Sequence, residues 1–105
     1  MTHYKATKVV IITEKLILEQ VARVIESTGA KGYTVVAAGG KGSRGVRSAN
    51  RAAVVDEFSN VKIEVITGDR EAANRIADEV AEHFFDNYSG ITYLEEVEIL
   101  RPHKF

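Results

Sequence analysis

The chain is 105 residues long, 45% hydrophobic and 28% charged, with a formal net charge of -1 and no cysteine. That length suits one small domain with a thin core, and the globular composition excludes a fibrous repeat or a disordered tail. Without cysteine there is no disulfide, thiol nucleophile or cysteine metal site.

Lys8–Thr13 (KVVIIT) is β-branched and almost wholly apolar, the pattern of a central strand covered on both faces. Thr13 stands where it would cap a helix over Glu14–Thr28, in which Ile17, Val21, Val24 and Ile25 recur at helical spacing and Gly29 supplies the stop. Gly32–Ala38 (GYTVVAA) predicts a second strand. In Val61–Thr67, Val61, Ile63 and Val65 alternate with Lys62 and Glu64, which predicts a half-buried third strand. Gly68-Asp69 opens a long helix with an apolar stripe of Ala73, Ile76, Ala77, Val80, Phe84 and Tyr88; Glu71, Asp78, Glu79 and Glu82 lie off it, and Gly90 ends it. Ile91–Leu100 is the last strand, where Glu95-Glu96 interrupts alternation as a bulge or an edge strand does. The order β-α-β-β-α-β is the ferredoxin-like α+β sandwich. That superfold alone decides no function.

Charge is unevenly spread. Residues 1–55 hold nine Lys/Arg against three Asp/Glu, net +6, and residues 56–105 hold five against twelve, net -7. One basic stretch in a nearly neutral chain suits a local anion site better than nucleic-acid wrapping. The stretch falls between the second and third strands, over about twenty residues, Gly39–Ser59, where ordinary hairpin loops use ~2–5. Gly39–Arg51 (GGKGSRGVRSANR) holds four of the eight glycines, the cations Lys41, Arg44, Arg47 and Arg51, and no acid. Glycines let backbone N–H groups approach an anion, arginine offers phosphate a planar fork, and Ser43 and Ser48 add hydroxyl donors. A plain solvated linker is the competing reading.

The stretch is not a P-loop, because Gly42 follows Gly40-Lys41 where Ser or Thr belongs and Val35 takes the earlier glycine position. RNA recognition on this element order needs stacking aromatics on the third strand. That strand has none, so no nucleic-acid partner is expected. His3, His83 and His103 lie near the two ends and on a helix, and no metal site is expected. No GxSxG elbow or Ser/His/Asp pattern appears, so no catalytic residue is assigned. The pairs Glu95-Glu96 and Asp78-Glu79 place neighbours on different faces and read as charged surface. Phe84, Phe85 and Tyr88 read as core or interface. Tyr33 stands open between a plain structural role and an interface or ligand contact.

The run Ala30–Arg47 (AKGYTVVAAGGKGSRGVR) resembles the SbtB branch of the PII-like signalling proteins, through KGYT at the second strand, GGKGSR entering the loop and VRS within it. VVIITEK and FFDNYSGITYL fit the same pattern, so the likeness runs from about Lys8 to Leu100. The resemblance implies a single PII-like domain over 1–105 that assembles as a homotrimer. Its adenine-nucleotide sites would lie in clefts between subunits, and a long T-loop at about 39–59 would close over nucleotide or reach into a partner. The implied ligands are AMP, cAMP, ADP and ATP, with a divalent cation only alongside ATP. The implied partner is SbtA, the sodium-dependent bicarbonate transporter of cyanobacteria. With no membrane-length apolar run and no signal-peptide pattern in Met1–Lys15, a cytoplasmic protein recruited to the inner (plasma) membrane by that transporter is expected.

Position by position, Gly39, Gly40, Lys41, Gly42, Ser43, Arg44 and Arg47 match the T-loop base, which the resemblance turns toward the phosphates. Gly90 matches the backbone cradle called the B-loop. Gly32, Tyr33 and Thr34 match the strand beside the cleft, and Arg101 and His103 lie in the C-terminal segment that reaches a neighbour's nucleotide. Arg44, Val46, Arg47, Ser48, Asn50 and Arg51 are the T-loop residues expected to meet the partner. Asn87-Tyr88-Ser89-Gly90-Ile91 is shorter than the glycine-rich B-loop of nitrogen-sensing PII proteins and lacks its lysine, which argues against tight ATP and 2-oxoglutarate binding. The Gly/Cys-rich hairpin at the end of many SbtB chains has no counterpart before Phe105, so a redox-gated nucleotide hydrolase does not carry over. The expected function is therefore a non-enzymatic nucleotide sensor that regulates bicarbonate uptake. The alternatives are a carboxysome-associated sensor of ADP, AMP and bicarbonate, and a weak ATP/ADP phosphohydrolase.

Overall fold

The computed structural model describes residues 2–40 and 59–100. Along the chain these form β1 (Tyr4–Glu14), a single 3-10 turn (Lys15–Ile17), α1 (Leu18–Ser27), β2 (Thr34–Ala38), β3 (Asn60–Thr67), α2 (Arg70–Phe84) and β4 (Gly90–Ile99). The strands make one antiparallel sheet in the order β2-β3-β1-β4. The predicted α+β sandwich is the fold observed.

The core follows from period-2 alternation on the strands meeting period-3.6 stripes on the helices. Val9 and Ile11 of β1 and Val61, Ile63 and Val65 of β3 are buried against Val21 and Ile25 of α1 and Ala73, Ile76 and Val80 of α2. The long helix begins as predicted. Asp69 has extended backbone and its Oδ1 accepts the Ala72 N–H at 2.6 Å, satisfying one of the donors a helix start leaves open. Asp69→Ala is expected to lower stability by about 1 kcal/mol, read as a lower thermal midpoint with unchanged helix content; an unchanged midpoint would show that the cap is dispensable.

Several boundaries differ from the sequence expectation. Thr13 does not cap a helix: it is a β1 residue paired with Val61 and Gly90, and it is buried. The chain makes the 3-10 turn before α1 begins at Leu18, and the Lys15 N–H at its start donates to the Ser59 carbonyl at 2.8 Å. Gly29, at φ 95°, does stop α1, and its N–H donates to the Glu26 carbonyl. β2 is shorter than predicted, starting at Thr34 rather than Gly32. Gly90 does not end α2, which stops at Phe84; it opens β4, and Tyr88 packs on the core from the intervening turn. Glu95-Glu96 marks an edge strand without a bulge, since β1 and β4 stay in step from Tyr4↔Ile99 to Thr13↔Gly90.

Among the described residues no helix packs on the second face of the sheet, where the strand register places Lys8, Val10 and Ile12 of β1 beside Lys62 and Glu64 of β3 and Ile91, Tyr93 and Glu95 of β4. Near its middle the Lys8 Nζ lies 3.3 Å from Glu95 and 3.7 Å from Glu64. The hydrogen bond to Glu95 raises the lysine's affinity for its proton above the ordinary range; partial burial opposes this and the Glu64 charge adds to it. Around this polar centre the same face leaves Val36 51% and Ile91 58% exposed.

Candidate functional site

The strand pairing gathers several chain segments at one end of the sheet. Ala38 of β2 faces Asn60 of β3, Asn60 faces Glu14 of β1, and Thr13 faces Gly90 of β4. Gly39–Gly40, Ser59, Lys15 and Ser89 continue just beyond those pairs.

The turn between α2 and β4 is anchored by the end of β1. The Thr13 hydroxyl donates to the Ser89 carbonyl at 2.7 Å, and the Ser89 N–H donates to Glu14 Oε2 at 2.7 Å. Both backbone polar groups of Ser89 are thus held by consecutive β1 residues. The next residue, Lys15, holds Ser59, where the loop returns to the sheet. Gly90 is required by space: a Cβ there would run into the Phe85 ring. At Gly32 and Gly40 an added Cβ would meet nothing among the described residues, so packing among those residues does not account for the two glycines.

Among the sequence-predicted residues, Gly39 and Gly40 are exposed where the chain leaves β2, and Tyr33 and Thr34 are exposed at its start. Lys41, Gly42, Ser43, Arg44, Val46, Arg47, Ser48, Asn50, Arg51, Arg101 and His103 lie outside the described residues. The structure does not unite the predicted positions it does describe. β2 is one edge of the sheet and β4 the other, so Gly39–Gly40 and Gly90 share an end but lie roughly 14 Å apart, three strand spacings. Thr13, Glu14 and Ser89 were not identified from sequence, because their contacts join residues 75 and 76 positions apart and leave no local pattern.

A cavity elsewhere, lined by Thr28, Lys31, Ile66, Gly68, Ala72 and Ile76, measures about 210 Å³, below the ~300–1,000 Å³ of typical ligand pockets. Among the described residues no group of three or more His, Cys, Asp or Glu side chains gathers as a metal site requires. His3 instead pairs with Glu98 at 3.0 Å, and His83 Nδ1 lies 2.7 Å from the Glu79 carbonyl. No helix among the described residues is long and apolar enough to cross a membrane.

Residues 6–104 match the family model described as nitrogen regulatory protein P-II. The chain belongs to the P-II family. A PII-like signalling protein from Thermus thermophilus is 30% identical, with a TM-score of 0.78 over 99% of this chain and 98% of that one. CPII from Thiomonas intermedia, in its structure bound to ADP and bicarbonate, is 25% identical, with a TM-score of 0.78 over 99% and 97% of the two chains. CPII bound to ADP, AMP and bicarbonate shares the fold at 23% identity, with a TM-score of 0.75 over 95% of this chain and 100% of that one. These likenesses establish a PII-like chain.

Proposed function

We propose that this PII-like chain is an adenine-nucleotide sensor of the SbtB type, a regulatory binding protein that acts by docking on an SbtA-type bicarbonate transporter. The observation that carries the nucleotide site is the division of the family-matched positions between two sheet edges. Gly39–Gly40, Tyr33 and Thr34 lie on or beside β2, and Gly90 opens β4 at the far side. A cleft formed by the β2 edge of one subunit and the β4 edge of the next would bring them together, as a homotrimer requires. The open sheet face, with Val36 and Ile91 exposed, supports assembly on that side.

In this reading the phosphates sit between the 85–90 turn and the T-loop base, and Lys41, Arg44 and Arg47 are drawn onto them. The ligand selects among loop states, and the loop residues Arg44, Val46, Arg47, Ser48, Asn50 and Arg51 meet the transporter in only one of them. Arg101 and His103 reach the neighbour's nucleotide. The protein works in the cytoplasm and is recruited to the membrane through its partner. Its nucleotides are AMP, cAMP, ADP and ATP, the last with or without a divalent cation. A second reading, a sensor of ADP, AMP and bicarbonate, is favoured by the ligands of the CPII structures.

Isothermal titration with cAMP, AMP, ADP and ATP, with GTP as control, tests the site. Saturable binding of adenine nucleotides, weakened at least tenfold in Arg44→Ala, is expected, since a charged hydrogen bond to phosphate contributes ~1.5–3 kcal/mol. No heat with any adenine nucleotide overturns the sensor. Bicarbonate added to the ADP and AMP titrations separates the two readings: a dependence on bicarbonate moves the assignment to the CPII-like sensor.

A further inference from the structure

We propose that Lys8 fits the open sheet face for burial against further copies of this chain, by neutralising Glu64 and Glu95 within its own subunit. The inference rests on the reading that subunits assemble through that face.

The face is largely apolar, since strand alternation turns Val10, Ile12, Val36, Ile66, Ile91 and Tyr93 to it. Among the described residues its centre carries four charged side chains, and their ion pairs are with one another. Lys8 Nζ lies 3.3 Å from Glu95 and 3.7 Å from Glu64, and Lys62 Nζ lies 3.5 Å from Glu64. Two cations and two carboxylates balance, in a chain whose second half is strongly acidic. Glu14, on the same side at the end of β1, is directed to the Ser89 N–H. In the single chain the Lys8 side chain is already only 22% exposed and that of Glu95 is 51% exposed, so a covering copy would remove the remaining water. An ion pair left in water contributes little, whereas a charge stripped of water is costly unless its partner goes with it. A symmetric assembly repeats every side chain in each copy, so a carboxylate deprived of its cation would meet its own repeats. Lys8 touches both carboxylates. Without it Glu64 still has Lys62, but Glu95 loses its ion pair and the balance of the face is gone.

The test is analytical ultracentrifugation of the full chain over a range of concentrations, as wild type, Lys8→Met, Glu95→Gln and the double variant. Methionine keeps most of the lysine's length and removes the charge. Lys8→Met should raise the concentration of half-dissociation by roughly tenfold or more, because the charge left behind is buried unpaired. Glu95→Gln leaves the opposite imbalance and should also weaken assembly; it lies on the edge strand and serves if Lys8→Met fails to fold. The double variant is balanced again, with Lys62 still beside Glu64, and should assemble within about threefold of wild type. Lys5→Met makes the same charge change on the opposite side of β1 and should leave assembly as it was. A wild-type oligomer unaltered by the folded single variants, or a double variant no better than Lys8→Met, overturns this inference alone. A wild-type chain that stays monomeric throughout overturns the assembly reading and this one with it.

Discussion

Ile63→Ala is expected to cost about 2–5 kcal/mol, the range for truncating a fully buried aliphatic side chain. Ile63 is 0% exposed at the middle of β3, paired with Ile11 on one side and Val35 on the other, within the cluster that both helices cover. Little can collapse into the space, because neighbours on β1 and β3 are fixed by strand pairing and those on the helices by their own stripes. Small domains have only ~5–15 kcal/mol of total stability, so the variant should show a sharply lower urea midpoint with an unchanged slope. A shift under about 1 kcal/mol would mean that this core is far less tightly packed than the structure shows. Val36→Ala, one residue along β2 on the open face, should shift dilute protein by less than about 0.5 kcal/mol.

Gly90→Ala is expected to damage both stability and ligand binding. The added methyl overlaps three atoms of the Phe85 ring, and Phe85 is packed against the core. Forcing extra volume into a filled space costs about 1–3 kcal/mol. The backbone has little room to yield, since Gly90 pairs with Thr13 and the preceding residue is held by Thr13 and Glu14. Phe85→Leu introduced with Gly90→Ala should recover part of the stability by clearing the ring. ADP affinity should fall in Gly90→Ala. A variant with wild-type midpoint and wild-type ADP affinity would show that the ring swings aside freely and that the turn takes no part in binding.

Legibility in the sequence followed the range of the interactions. β3 and α2 were readable because their cause is local: Val61, Ile63 and Val65 alternate, and the Asp69 cap precedes the Ala73, Ile76 and Val80 stripe. The first residues of β1 were missed because Tyr4, Lys5 and Thr7 carry little apolar signal; they are strand because Ile99, Glu98 and Glu96 stand opposite. Thr13 has a residue type and position that suit a helix cap, and its actual role appears only when Ser89 arrives from the other end of the chain. The glycine- and arginine-rich loop stood out by composition. What composition could not reveal is that its root and the Gly90 turn belong to opposite edges of one sheet.

The ten-residue ladder between Tyr4–Thr13 and Gly90–Ile99 also governs how the molecule comes into being. A ribosome delivers β1 first and its β4 partner last, so for most of synthesis the strand destined for the interior of the sheet has one hydrogen-bonding side unfilled. The nascent chain can form its β2-β3-β1 portion and bury α1, yet the second pairing of β1 waits for β4 to emerge. Contacts of such sequence separation slow folding and prolong the exposure of a sticky strand edge. Emergence of β4, rather than of the first helix, is then the moment at which β1 gains its second partner.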